Sequence, residues 1–475
     1  MQFDSPLFFL FLLGVYGVYL ALPFPKQNRF LLAASYAFYA SWDWRFLGLL
    51  WISTAVDYGC GKRIHATESP ARRKKLLLLS ILVNLGILGF FKYFNFFSSG
   101  MADLLGGFGI TFDPLFLHLV LPIGISFYTF QSMGYTIDVY RRELEPCRTL
   151  WDFALFVAFF PQLVAGPIER AKRLLPQLQS PREPCRDDLY AGTFLIVWGL
   201  FQKIVIADNL AGVVNATFAG GAPYNGAEVL VASYAFSFQL LCDFAGYSCM
   251  AVGAGRLMGF RLTTNFRSPY LASNLRDFWS RWHVSLTRWF GNYVYRPLRN
   301  VIGAGTSRNF CCVVLTFLLV GLWHGASLSF ALWGLLTGLQ FTLYLAFKPA
   351  LSKFRPRHNK FAKLLWSGGG IFLVYHLWCL GCPLFRGESL AQSVEMYGSL
   401  VTSFHINQTA ISNLAYVAIY TAFFLLLEAF QFVRRDLLAV FELPIPVRAM
   451  LYLVLFYGIA WFGNFNGQDF IYFQF

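Results

Sequence analysis

Apolar runs recur along almost the whole chain, and most of its lysines and arginines fall in short clusters between them. A helix rising ~1.5 Å per residue needs ~20 apolar residues to cross ~30 Å of hydrocarbon. Twelve runs are candidates: 6–24, 30–42, 45–59, 76–97, 115–138, 189–207, 229–250, 309–327, 329–347, 364–385, 411–432 and 449–465. Several are short, which fits tilted or partial spans, or a locally thinned bilayer. Without water, each backbone amide must be paired inside the protein, so such a chain folds as a helical bundle. The expectation is an all-α polytopic membrane protein. It should have about 10–12 transmembrane helices plus re-entrant and interfacial helices, as a single integral-membrane domain over residues 1–475.

With 57% hydrophobic and only 13% charged residues, a soluble fold is excluded. The net charge of +14 would suit nucleic acid if it were concentrated on one surface. It is instead distributed in the clusters that orient helices in a bilayer, so the expected partner is lipid and not nucleic acid. Lys26 with Arg29, the cluster Lys62 to Lys75, the groups Arg141 to Arg186, Arg256 to Arg308 and Lys348 to Lys363, and Arg434 with Arg435 should face the cytoplasm. Connections 98–114, 208–228 and 386–410 carry almost no Lys or Arg and should face outward, as should both termini. The alternation closes only if residues 150–168 dip into the membrane and return. Pro161, Gly166 and Pro167 break any helix there, and the alternative is an irregular cytoplasmic loop. The run from Leu7 to Phe24 lacks a basic leader and reads as a retained first helix. Nine cysteines are scattered, and the one C-x-x-C, Cys379 to Cys382, reads as packing, so no metal is expected.

Chemistry concentrates between residues 279 and 327, where two histidines each follow a tryptophan: Trp282–His283 and Trp323–His324. His283 lies in a segment, 256–308, that has arginines but no lysine, and planar guanidinium suits phosphates and buried pairs. Its other reading is an interfacial region with arginines on headgroups and tryptophans in the aromatic belt. His324 falls near the turn of an apolar hairpin, 309–347. An imidazole there must line a polar cavity, do chemistry, or hydrogen-bond a neighbour's carbonyl. Gly321 and Gly325 leave room either for a substrate or for close helix approach. His65, His358 and His405 read as solvated, and His118 and His376 as core histidines. On 229–250, Gln239, Asp243, Tyr247 and Ser248 project at membrane depth as a proton relay, an orienter or a structural network. No GxSxG elbow, P-loop or HExxH is present. Acyl transfer to a hydroxyl needs a base of near-neutral pKa, which histidine supplies.

Several stretches then resemble one family in order: LPIGISFYTFQSMGYTIDVYR (121–141), FPQLVAGPIER (160–170), IAD (206–208), FQLLCDFAGYS (238–248), NF-x-x-PY (265–270), DFWSRWHVSLTRWFGNYVYRPL (277–298), WHGAS (323–327) and FIYFQF (470–475). Together they resemble the membrane-bound O-acyltransferases, in the bacterial branch with the alginate O-acetyltransferases. The resemblance implies that His324 is the membrane-embedded catalytic histidine, as general base or transient acyl acceptor, and His283 the second important one. Arg281, Trp282 and Trp323 would flank them, with Asp243, Gln239, Tyr247 and Ser248 as helpers. It implies a cytoplasmic thioester donor, acetyl-CoA or an acyl-carrier protein, with no bound cofactor. It further implies an extracytoplasmic partner protein, a polysaccharide acceptor and a place in the bacterial cytoplasmic membrane. D-alanyl transfer to a cell-wall polymer, or polysaccharide or lipid transport, is the alternative. The chain departs from the family pattern at Thr337, where WGLLTG replaces a W-G-x-x-H-G, at Cys249 in place of an aspartate, and at LRNVIGAG. On this reading His283 sits on the donor side and His324 at the reaction centre, separated by depth.

Overall fold

The computed structural model describes residues 1–24, 26–110, 113–117, 120–303, 305–356, 358–465, 470 and 471. Among the described residues every regular element is a helix. Each of the twelve apolar runs overlaps a helix, but 115–138 does so only from Ile125 onward, and His118 and residues 472–475 of the last motif lie outside the described residues. Eight helical stretches are long and apolar enough to cross a membrane: Pro70–Gly107, Arg186–Phe218, Gly226–Leu257, Thr306–His324, Leu328–Phe354, Lys360–Arg386, Gln408–Arg434 and Ile445–Phe462. The other four are Pro6–Ala21, apolar but only 16 residues long, and Lys26–Asp43, Leu47–Ala66 and Ile125–Tyr140. The last three bury Asn28 and Ser35, Ser53 and Asp57, and Gln131 and Thr136 respectively, which dilutes their apolar character.

The chain divides into two compact units, one of residues 1–196 and 250–263, the other of residues 197–249 and 264–475. The first holds α1 (Pro6–Ala21), α2 (Lys26–Asp43), α3 (Leu47–Ala66), α4 (Pro70–Gly107), α5 (Ile125–Tyr140), α6 (Leu150–Ala158), α7 (Phe160–Leu163), α8 (Ala171–Leu178) and the start of α9 (Arg186–Leu200). Helices α3, α4 and α5 meet around Asp57, whose carboxylate accepts from Ser80, from Asn84 Nδ2 at 2.9 Å and from Thr136 Oγ1 at 3.1 Å. The 150–168 stretch is a broken helix pair, buried from Phe153 to Ile168. Its interrupted backbone is paired by side chains: Gln131 and Gln162 both donate to Phe156 O, and Phe160 N donates to Ser35 Oγ at 3.1 Å. A break in a buried segment is sustainable only when protein groups take over the lost helical bonds in this way.

The second unit continues α9 through a π-helical stretch, Phe201–Ala207, into α10 (Asp208–Phe218). There follow α11 (Gly226–Leu257, its last residues in the first unit), three short helices α12 (Leu275–Arg281), α13 (Val284–Phe290) and α14 (Arg296–Ile302), then α15 (Thr306–His324), α16 (Leu328–Phe354), α17 (Lys360–Cys379), α18 (Cys382–Arg386), α19 (Leu390–Thr402), α20 (Gln408–Arg434) and α21 (Ile445–Phe462). Helices α15 and α16 form the hairpin expected from 309–347, and glycines let their backbones touch. A Cβ on Gly321 would collide with Phe330 O, one on Gly334 with Phe317 O, and one on Gly338 would lie 3.0 Å from Val314 Cα. Of the two uses open to Gly321, close helix approach is the one realised. Gly334→Ala should therefore cost about 1–3 kcal/mol, because a collision with backbone cannot relax like one with a flexible side chain. A lower unfolding temperature and folded yield in detergent are expected; wild-type values for Gly334→Ala would contradict this packing.

Candidate functional site

His324 is the last residue of α15, and the sequence that follows explains why the helix stops there. Gly325 is extended (φ −159°, ψ 152°), and the Ser327 side chain caps α16 by accepting from Phe330 N. WHGAS is thus a helix end, a sharp reversal and an N-cap within five residues, fixing His324 at the elbow of a backbone-packed hairpin. Its ring is 4.9 Å from that of Trp323, 5.3 Å from Trp333 and 5.1 Å from Phe385, and the residue is 4% exposed. Beyond Trp333, Trp279, Thr337, Gln340 and Trp378 line a cavity with room for about one water molecule.

His283 occupies the junction between α12 and α13 in a left-handed conformation (φ 40°, ψ 56°), uncommon for a residue with a Cβ. Asn265 holds it there: its carbonyl accepts from Val284 N at 2.9 Å and its Oδ1 from Ser285 N at 3.2 Å, so one side chain and one carbonyl secure the start of α13. Strain of this kind persists only where surroundings over-determine it. The His283 ring lies edge-on to Phe244 at 4.6 Å, 6.2 Å from Phe266 and 6.1 Å from Trp323, and the residue is 1% exposed. Burial lowers its pKa from an ordinary 6.5 to about 3, so the ring is neutral at physiological pH. Trp323 therefore touches both imidazoles, whose centres lie no further apart than the sum of those two ring distances.

Asp243 has an ionic role. Its Oδ1 lies 2.9 Å from Lys203 Nζ, which also meets Asp208 Oδ1 at 2.7 Å, and its Oδ2 accepts from Ile471 N at 2.7 Å. All three side chains are almost fully buried. Lys203 and Asp208 were not among the expected site residues. On an α-helix, positions five apart sit roughly 140° around from one another, but the π stretch over 201–207 widens the turn and aligns i with i+5. The only sequence signal was a lysine and an aspartate, both unusual in an apolar run, in FQKIVIAD.

The remaining candidates divide. Tyr247 packs on Phe470 at 4.5 Å, Ser248 is buried, and Gln239 is buried with its Oε1 lacking a hydrogen-bond partner among the described residues. Trp282 is built into an aromatic cluster, tilted against Trp378 at 4.3 Å and edge-on to Phe266 at 5.1 Å. Arg281 pairs with Asp277 at 2.8 Å, donates to Arg267 O and lies over Phe432. Arg276, Arg288, Arg296, Arg299 and Arg308 are exposed. Outside the site, His376 is hydrogen-bonded but only half-buried, not a core residue, with Nε2 2.9 Å from Tyr234 OH and Nδ1 2.8 Å from Phe372 O, whereas His358 and His405 are exposed and His65 is half-buried near Glu145.

Against known sequences, the profile of the membrane-bound O-acyltransferase family matches residues 74–385. The chain is 39% identical over 405 residues to a probable alginate O-acetylase AlgI of Pseudomonas putida, covering 84% of this chain and 80% of that protein. It is 34% identical over 438 residues to a peptidoglycan O-acetyltransferase of Helicobacter pylori, covering 84% and 80%. A teichoic acid D-alanyltransferase of Bacillus subtilis is 28% identical over 292 residues, covering 57% and 70%.

The dry ring of His283 has a consequence for stability. Between pH 6.5 and about 3 the unfolded chain binds a proton that the folded one does not, so His283 favours folding fully above pH 6.5 and progressively less as pH falls. His283→Asn tolerates the left-handed backbone and does not titrate. The variant should show a flatter loss of thermal stability between pH 7.5 and 5 in detergent, and an unchanged slope would contradict the burial.

Proposed function

Because the chain belongs to the membrane-bound O-acyltransferase family, we propose that it moves an acetyl group from a cytoplasmic thioester to hydroxyls of an exported or cell-envelope polysaccharide. O-acyl transfer is the reaction of the family, and the chain is a multi-pass membrane protein. The acetyl group and the polysaccharide are favoured by the O-acetylating relatives, which align over 84% of the chain, against 57% for the D-alanyl transferase.

The observation that carries the reading is the pair of buried imidazoles that both contact Trp323. His324 acts as general base: its ring nitrogen takes the proton of the acceptor hydroxyl as that oxygen attacks the thioester carbonyl carbon. The tetrahedral intermediate collapses, the C–S bond breaks, and the imidazolium returns its proton to the departing thiolate. General-base assistance contributes about 10²–10⁴ in rate. His283, neutral, orients the donor by hydrogen bonding and cannot supply charge to it. Attraction of a phosphate-bearing donor, acetyl-CoA or an acyl-carrier protein, falls to the exposed arginines between 276 and 308. Where the acceptor hydroxyl belongs to an extracytoplasmic partner protein, a polymer hydroxyl then attacks that ester, and the acetyl group passes to the polymer as the partner's hydroxyl is released.

Cells carrying His324→Ala at wild-type membrane abundance should export normal amounts of polysaccharide with its O-acetyl content reduced at least about a hundredfold. Normal acetylation would contradict the assignment, and failed export with normal acetylation would point to transport instead.

A further inference from the structure

Phe470 and Ile471 lie eight and nine residues beyond the end of α21, yet they are 1% and 3% exposed. Three backbone attachments bring the chain back. Asn209 Nδ2 donates to Phe462 O at 2.8 Å, Asn464 N donates to Ile204 O at 2.9 Å, and Ile471 N donates to Asp243 Oδ2 at 2.7 Å. Ile204 belongs to the π stretch, and Asp243 is the carboxylate that Lys203 holds. The ion cluster thus does two things: it meets the buried Lys203 ammonium with two carboxylates, and it presents an oxygen to a returning backbone amide.

That anchor delivers one ring to the site. Phe470 packs on Tyr247 at 4.5 Å and on Phe244 at 5.6 Å, and Phe244 stands edge-on to His283 at 4.6 Å. Phe244 is therefore in ring contact with both Phe470 and His283. His283 sits in a strained left-handed conformation, so the packing around its ring decides where it points. We infer that Phe470 is a positioning residue for His283, acting through Phe244, and that the Lys203–Asp243 pair is the anchor that seats it. This rests on the reading of His283 as the donor-orienting imidazole.

The test uses the full chain in detergent, with two independent readouts. The first is modification of His283 by diethylpyrocarbonate, followed by peptide mass spectrometry, which requires no turnover. Phe470→Ala leaves a cavity into which Phe244 can relax, and His283 should be modified at least about tenfold faster, with His65 unchanged. Ile471→Pro removes the amide donated to Asp243 and should act in the same direction. The second readout is kinetics with acetyl-CoA. Phe470→Ala should raise KM about tenfold with kcat within about twofold, and Phe470→Leu should recover most of the loss, whereas general misfolding would lower kcat at constant KM. Wild-type modification of His283 in both Phe470→Ala and Ile471→Pro would overturn the inference, as would a fall in kcat alone. Faster modification with unchanged kinetics would leave the positioning intact and remove His283 from donor use. Absence of wild-type turnover would count against the proposed function, and the modification rates would still decide the inference.

Discussion

A lysine ammonium with 1% of its side chain exposed must be met by carboxylates, and the second unit is arranged around that requirement. Lys203 is met twice, by Asp208 from its own helical stretch and by Asp243 from the middle of α11. The first contact needs the π-helical turn, and the second fixes α11 against it. Close approach is made possible by Gly246, whose Cβ would lie 2.6 Å from Gly199 O. Removing one partner of a buried pair strands the other and typically costs about 3–5 kcal/mol. The widened turn, the glycine contact and the returning 470–471 stretch all serve the same cluster.

The two histidines occupy different backbone devices but comparable surroundings. His324 ends a helix at a glycine reversal, and His283 bridges two short helices with positive φ. Both are enclosed by aromatic rings, and Trp323 is common to the two enclosures. Separation by depth, with His283 at an arginine-lined mouth, was the expectation from charge alternation. The ring contacts add that both histidines lie beside the indole of Trp323.

What was legible in the sequence follows from what leaves a periodic trace. Apolar runs disclosed the helices, and the length of the 309–347 run placed His324 near the turn of a hairpin, whereas the glycine reversal and the Ser327 cap that fix it there emerge only in the structure. Four of the twelve runs fall outside the helices that are long and apolar enough to cross: α1 is short, and α2, α3 and α5 spend residues on buried polar contacts such as the Asp57 network. Lys203 was passed over because α-helical spacing puts it out of reach of Asp208, and a π turn has no reliable sequence mark. The left-handed backbone at His283 was equally hidden, since it depends on Asn265, 18 residues earlier. Asp243 drew attention as an intramembrane acid, but its partners lie 40 and 228 positions away in the chain.

A double-mutant cycle in purified protein measures directly whether the histidines serve one reaction centre. Acetyl transfer would be followed for wild type, His283→Asn, His324→Ala and the combination, each at saturating and limiting thioester. Groups acting on one step lose independence once the step is disabled. The combined variant should therefore be no slower than His324→Ala alone, within about threefold. Losses that multiply across the two positions would contradict a shared centre and separate the histidines into independent sites.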